Sequence, residues 1–207
     1  MNLLNKILDN PAIWNISQFI FGNDKYKKAL YRSAIPFPGK ILDFGCADGN
    51  TFLAFKDFEY YGVDINKNLI DYAKKKYSKF KNANFFHANI LDRPFEENFF
   101  DYCLFACTGH HLTDEMLFKI IPALADCLKS GGSLYIFDTI KRPGNDSKLL
   151  NFLIGLDQGQ HMRTEEKYNL IIDQLSPKLK VLNKKVMQVR GNFFPQPTYY
   201  FAEFKKV

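Results

Sequence analysis

The chain has 207 residues, enough for one domain with a full core, and its 46% hydrophobic and 24% charged residues are those of an ordinary soluble globular protein. No apolar run reaches the ~18 residues needed to cross a bilayer. Residues 1–10 carry no apolar h-region and no small-residue cleavage site, so no membrane span and a cytoplasmic location are expected. The net charge of +6 raises nucleic acid as a partner, but the lysines come in short clusters (74–76, 184–185 and 205–206) and not as one stripe, which reads as solvated faces.

In chain order, Asn10-Pro11 reads as an N-cap with proline at the first helical position, closed by Gly22. A second helix is expected over 24–33, and Pro36 and Pro38 then break the chain. Strand-like runs follow at 40–44, 60–64, 84–88, 100–106 and 133–138, separated by helical stretches at 51–58, 66–80 and 113–129. Leu69, Ile70, Ala73, Tyr77 and Phe80 lie on one side of the second stretch at helical spacing. Strands alternating with helices imply right-handed crossovers and a mainly parallel sheet covered on both faces.

After residue 138 two helical segments, 145–156 and 164–175, precede β-rich runs at 180–190 and 198–206. The loop GNFFPQP between those runs is too short for a crossover helix, so they should pair antiparallel at a sheet edge. The expected fold class is α/β. It is a three-layer α/β/α sandwich on a mostly parallel, seven-stranded sheet with an antiparallel last strand. One domain is expected, with a helical lid at 1–35, a ligand-binding core at 40–139, a helical cap at 140–178 and a C-terminal hairpin at 179–207.

Cys46, Cys103, Cys107 and Cys127 show no paired framework and read as reduced thiols, mostly buried. With no C-x-x-C, and with His110 and His111 projecting in different directions, no metal site is expected.

In an open α/β sheet, ligands bind beyond the carboxyl ends of the strands where strand order reverses. Residues 41–51, ILDFGCADGNT, form such a strand end. A dinucleotide loop needs G-x-G-x-x-G so that bare backbone meets the pyrophosphate. Here Ala47 and Asn50 occupy two of the glycine positions, and Asp48 would oppose a phosphate with like charge. The loop instead suits a ligand whose nearest group is cationic, with Asp43 and Asp48 as favourable charge.

Asp43-x-Gly45-x-Ala47-x-Gly49 resembles the D-x-G-x-G-x-G loop of class I S-adenosylmethionine-dependent methyltransferases. Ala47 departs from the middle glycine, which is tolerated where the local φ is negative. The resemblance covers about residues 40–139. YYGVDIN places Asp64 at the end of the second strand, where the family uses an acid to accept both ribose hydroxyls. The adenine-contacting acid of the family aligns with Asn89, with Asp92 close by. ADCLKSGGSLYIFD is similar to the family's helix, Gly-Gly turn and fifth strand, with Gly131 and Gly132 allowing a tight helix exit. The resemblance implies S-adenosylmethionine as methyl donor and S-adenosylhomocysteine as product. It implies donor contacts from Asp43, Gly45, Cys46, Ala47, Gly49, Asp64, Ile65, Asn89, Ile90 and Ala106.

For the acceptor side, CTGHHL follows the fourth strand and resembles the family's h-H-H-L segment, so His110 or His111 could take a proton from a hydroxyl. The alternative is that one of them packs under the next helix. LDQGQHMRTEEKY gathers Asp157, His161 and Arg163 in a loop between two helices, where the family covers its acceptor. The same segment also reads as helix punctuation, with Thr164 as N-cap. It is loosely similar to a segment of small methyltransferases of surface-sugar or lipid-linked glycan pathways. The candidate catalytic residues are therefore His110, His111 and His161, and the candidate acceptor contacts are His110, Asp157, Arg163 and Phe194. The expected function is methyl transfer to a small oxygen or nitrogen acceptor. The alternatives are an RNA or protein methyltransferase using the basic surface, a nicotinamide-dependent oxidoreductase, and a methyltransferase-like protein that binds the donor without turnover.

Overall fold

The structure is a computed structural model that describes residues 24–142, 161–175, 177–188 and 198–207. The segments expected to be helical at 10–22 and 145–156, Asp157, Phe194 and the loop at 191–197 lie outside the described residues.

Seven strands, β1 (Lys40–Phe44), β2 (Glu59–Asp64), β3 (Ala83–His87), β4 (Phe100–Ala106), β5 (Leu128–Ile140), β6 (Leu179–Gln188) and β7 (Thr198–Lys206), make one sheet in the order β3-β2-β1-β4-β5-β7-β6. The first five run parallel. Strand β7 slots between β5 and β6, antiparallel to both. This is the mostly parallel sheet with an antiparallel last strand that the alternation of elements predicts. Strand order reverses between β1 and β4, which puts the ligand crevice at their carboxyl ends.

The described helices are α1 (Asp24–Ala34), α2 (Lys67–Lys76), α3 (Asp114–Cys127) and α4 (Glu165–Asp173). Three begin on side-chain caps: Asn66 accepts from the N–H groups of Asn68 and Leu69, Thr113 from Met116, and Thr164 from Lys167. Ile41 and Leu42, adjacent on β1, point to opposite faces of the sheet and belong to separate cores. The Leu42 side is closed by Leu117, Ile120 and Leu124 of α3 and Tyr168 and Ile171 of α4. The Ile41 side is closed by Tyr31 of α1, Ile70 and Ala73 of α2, and Phe52, Phe55 and Phe58.

Those three phenylalanines explain one departure from the expected elements. The helix expected over 51–58 is a 3₁₀ turn at Asn50–Ala54. It is prolonged by N–H···O bonds from Phe55 to Phe52 (2.8 Å) and from Phe58 to Phe55 (3.0 Å). Buried residues spaced by three suit three residues per turn better than 3.6. A second departure concerns Gly131 and Gly132, which do not release the helix. Helix α3 ends at Cys127 and passes straight into β5 at Leu128. The glycines lie where the β4–β5 register jumps from Phe100↔Leu128 to Tyr102↔Ser133, so they serve a bulge.

Candidate active site

The loop after β1 is wound by three residues with positive φ: Gly45 (74°), Ala47 (47°) and Gly49 (74°). Ala47 thus does not take the negative φ expected of it. A left-handed alanine is disfavoured by ~1–2 kcal/mol. What holds it there is Asp64 at the end of β2, whose Oδ2 accepts the Ala47 N–H at 2.9 Å while Oδ1 accepts that of Asn66 at 2.8 Å. Burial pushes the Asp64 carboxyl up, while these N–H bonds and the charge of nearby His111 pull it back. A Cβ at Gly49 would lie 2.5 Å from the Phe85 ring as well as demanding positive φ. Gly49→Ala should therefore cost about 2–5 kcal/mol, combining backbone and overpacking terms. Urea unfolding checks this, and a loss below 1 kcal/mol would contradict the loop geometry.

Two carboxylates of the loop are less available than the sequence implies. Asp48 is buried and forms a 2.7 Å ion pair with Lys76 of α2. Asp43 is buried too and accepts a hydrogen bond from the Tyr60 hydroxyl. Burial raises its pKa to about 7, against the opposing hydrogen bonds from Tyr60 and Thr51.

Of the other expected donor contacts, Ile65 stands beside Asp64 with 74% of its surface exposed, an apolar face at the crevice. Asn89 is exposed and caps a 3₁₀ turn (Ile90–Asp92), its carbonyl accepting from the Leu91 N–H at 3.0 Å. That leaves the NH₂ end of the amide to meet a ligand. Ile90 is 2% exposed and packs in the Leu42-side core, and Cys46 is buried in the Ile41-side core. Both can offer a ligand only backbone. Ala106 ends β4, and the next turn is tied back when the Thr108 hydroxyl donates to the Ala106 carbonyl at 3.0 Å.

Gly109–His111 form a 3₁₀ turn after β4. His110 is buried, and its Nδ1 lies 2.5 Å from Oδ1 of Asp138 near the end of β5. Oδ2 of Asp138 accepts from the Tyr168 hydroxyl of α4. His111 is exposed and its ring lies against that of His110, centroids 4.2 Å apart and planes tilted by 42°. The two histidines do project differently: one faces β5 and the other comes within electrostatic reach of Asp64. Sequence reading missed Asp138 and Tyr168. The available signal was the repeated pattern of a strand ending on aspartate, seen at Asp43, Asp64 and Asp138.

Arg163, an expected acceptor contact, is turned into the protein. It is 5% exposed, and four of its guanidinium N–H groups donate within the protein. Nε donates to Asp114 (2.8 Å), one terminal nitrogen to the carbonyls of Gly109 (2.9 Å) and His161 (3.0 Å), and the other to that of Leu112 (2.6 Å). It fastens the 161–163 segment to the turn after β4. His161 shares in this seam, its N–H donating to the His110 carbonyl at 2.9 Å. Its ring is partly exposed and near enough to lower the Glu115 carboxyl, together with the stronger effect of Thr113.

An open sheet with its ligand loops at the β1/β4 reversal, acids ending β1 and β2, and no bare glycine cradle for a pyrophosphate defines a Rossmann-like cofactor fold of the methyl-donor type. Known proteins agree with that class. Residues 41–132 match the model of a methyltransferase domain family. A demethylmenaquinone methyltransferase of Bacillus licheniformis is 25% identical over 131 residues, covering 61% of this chain and 56% of that protein. The chain thus matches a little over half the length of that relative. A SAM-dependent methyltransferase from Aquifex aeolicus superposes with a TM-score of 0.67 at 18% identity, over 98% of this chain and 99% of the other. Phosphoethanolamine N-methyltransferase 2 of Haemonchus contortus, solved in complex with S-adenosyl-L-methionine, gives a TM-score of 0.74 at 16% identity, over 100% of this chain and 60% of the other. Over residues 41–132 the chain is thus similar to a methyltransferase domain, and its fold is that of these S-adenosylmethionine-dependent enzymes.

Proposed function

We propose that this protein transfers the methyl group of S-adenosylmethionine to a small acceptor through an oxygen or nitrogen nucleophile. The observation that carries the reading is the cleft at the strand reversal, where Asp64 pins the loop after β1 beside the exposed face of Ile65. Asp64 accepts the Ala47 and Asn66 N–H groups on separate oxygens, and a carboxylate has lone pairs beyond these for a ribose hydroxyl. Ile65 and the NH₂ of Asn89 suit an apolar purine with a polar edge. A pyrophosphate is opposed by the Ala47 methyl, where a dinucleotide loop has bare glycine backbone, which argues against a nicotinamide cofactor.

The bound donor supplies a methyl already activated on a sulfonium. The protein's share is then to orient the acceptor and take up a proton. His110 and His111, after β4, are the imidazoles nearest that task. The basic charge gives little support to the RNA reading, because lysines are drawn into local pairs such as Lys76–Asp48, Lys129–Asp101, Lys167–Asp114 and Lys178–Asp126. The name of the Bacillus licheniformis relative makes demethylmenaquinone an acceptor to try, with sugars and lipid-linked glycans beside it.

In a thermal-shift titration, S-adenosylhomocysteine at ~100 times its Kd should stabilise the protein by ~2.7 kcal/mol, and NAD should not. Stabilisation by NAD alone would end the methyltransferase reading. Asp64→Ala should weaken S-adenosylhomocysteine binding by about 1–3 kcal/mol in calorimetry, and unchanged affinity would remove Asp64 from the donor site. Transfer of label from methyl-labelled donor then screens the acceptors.

A further inference from the structure

We propose that Thr108 is a positioning residue: seated between the loop after β1 and the turn after β4, it sets the distance between the donor's loop and the turn that carries His110 and His111, and makes the two move together. The inference deepens the methyltransferase reading and rests on it. Loop and turn follow neighbouring parallel strands at the reversal of strand order, with Phe44 of β1 in register with Phe105 of β4.

A Cβ added at Gly45 would lie 2.3 Å from Thr108 Oγ1 and 2.6 Å from its Cγ2, far inside contact distance. Thr108 thus fills the space that a side chain at position 45 would need, and packs against bare backbone. Its hydroxyl donates to the Ala106 carbonyl at 3.0 Å and lies 3.5 Å from that of Phe44, the last residue of β1. One side chain therefore touches the ends of both strands and the start of the loop.

Both neighbours are anchored on their far sides. The loop is tied to β2, where the Gly45 and Cys46 N–H groups donate to the Val63 carbonyl at 2.9 and 3.2 Å and Asp64 accepts from Ala47. The turn is tied to β5, where Cys107, at a φ of 50°, donates its N–H to the Phe137 carbonyl at 2.7 Å and His110 meets Asp138. It closes on itself when the His111 N–H donates to the Thr108 carbonyl at 3.1 Å, and Arg163 holds the Gly109 carbonyl. Helix α1 spans the same two pieces: Asp24 accepts from the Asn50 amide, and the Tyr31 hydroxyl lies 3.7 Å from Cys107 Sγ. With both outer sides fixed, the width between loop and turn depends on what is packed inside it, because close-packed interiors transmit small changes of volume.

Methyl transfer is sensitive to that width. The attacking atom and the methyl carbon must sit ~3–3.5 Å apart and in line, and a misplacement of ~1 Å can cost about 10²-fold in rate. The donor is held on the loop side and the acceptor is met on the turn side, so a spacer between the two segments sets their distance without touching either molecule. Threonine suits the task, since its β-branch is stiff at χ1 and keeps one width. Alanine would remove both atoms that face Gly45, whereas valine would keep the branched shape and give up the hydroxyl.

The test is hydrogen–deuterium exchange read by mass spectrometry on the full chain, with and without saturating S-adenosylhomocysteine. In the parent protein the ligand should slow amide exchange at 45–50 and also at 109–112. Thr108→Ala should keep the protection at 45–50 and lose that at 109–112, and Thr108→Val should keep both. With any acceptor found in the screen, Thr108→Ala should lower kcat by about 10²-fold while S-adenosylhomocysteine affinity changes little, and Thr108→Val should recover most of the rate. Protection confined to 45–50 in the parent, protection of both segments in Thr108→Ala, or its loss from 109–112 in Thr108→Val would overturn the proposal. Should Thr108→Ala fail to fold, Thr108→Ser, which lacks only Cγ2, should show weakened protection at 109–112, and unchanged protection there would count against the spacer. Absence of protection from both segments of the parent would instead mean that the ligand does not bind, and would sink the donor reading itself.

Discussion

Arg163→Met is expected to destabilise the fold by about 3–5 kcal/mol, and Arg163→Lys to recover less than half of that loss. The guanidinium donates four hydrogen bonds in a fixed plane, to Asp114 and to the carbonyls of Gly109, His161 and Leu112. A methionine would leave those carbonyls and one carboxylate oxygen without that partner in a largely buried seam, and unmade buried bonds cost ~1–3 kcal/mol each before relaxation. Lysine restores the charge but not the planar fork, so it can serve only part of the set. Asp114 would keep Lys167, which lies 2.8 Å from its other oxygen, and this limits the damage there. Thermal unfolding should show Tm falling by roughly 6–20 °C for Arg163→Met, given the usual 2–4 °C per kcal/mol for a domain of this size. A variant that melts like the parent but binds its acceptor poorly would restore Arg163 to the substrate side.

Arg163 also marks where sequence reading stops. The motif LDQGQHMRTEEKY was legible as a loop before a capped helix, and Thr164 does cap α4. Little that is local could tell that the arginine turns inward, because Asp114, Gly109 and Leu112 lie 49, 54 and 51 residues earlier in the chain. The sheet was legible for the opposite reason. Parallel strands covered on both faces are continuous apolar runs, and strands β1 and β4 fall where those runs begin and end. The helix expected over 51–58 is a 3₁₀ turn because Phe52, Phe55 and Phe58 are buried at a period of three. Ala47 failed because φ is fixed by a carboxylate on another strand. The His110–Asp138–Tyr168 cluster joins three separate elements, so Asp138 and Tyr168 looked ordinary alone. The charges of the loop were visible, but their neutralisation by Lys76 and by burial was not.

That neutralisation gives the second large effect. Asp43→Asn should be more stable than the parent at pH 8 by about 2–4 kcal/mol, with the difference vanishing near pH 4. In the folded protein Asp43 holds its proton up to about pH 7, because burial disfavours the charge more than the hydrogen bonds from Tyr60 and Thr51 favour it. The unfolded chain releases the same proton near the ordinary 3.8. Between those values unfolding releases a proton, so rising pH favours the unfolded chain and stability falls. The favourable contribution is complete below about pH 4 and lost by about pH 7. Asparagine has no proton to lose, retains an oxygen to accept from Tyr60, and should give a curve without this slope. The neighbouring charge of Asp64 acts in the same direction, since a second carboxylate nearby further disfavours ionisation of the first. Urea midpoints measured from pH 4 to pH 8 read the two curves directly. An Asp43→Asn variant less stable than its parent at pH 8 would mean that the carboxylate is stabilised in the fold, and that the loop presents to its ligand the full negative charge its sequence suggests.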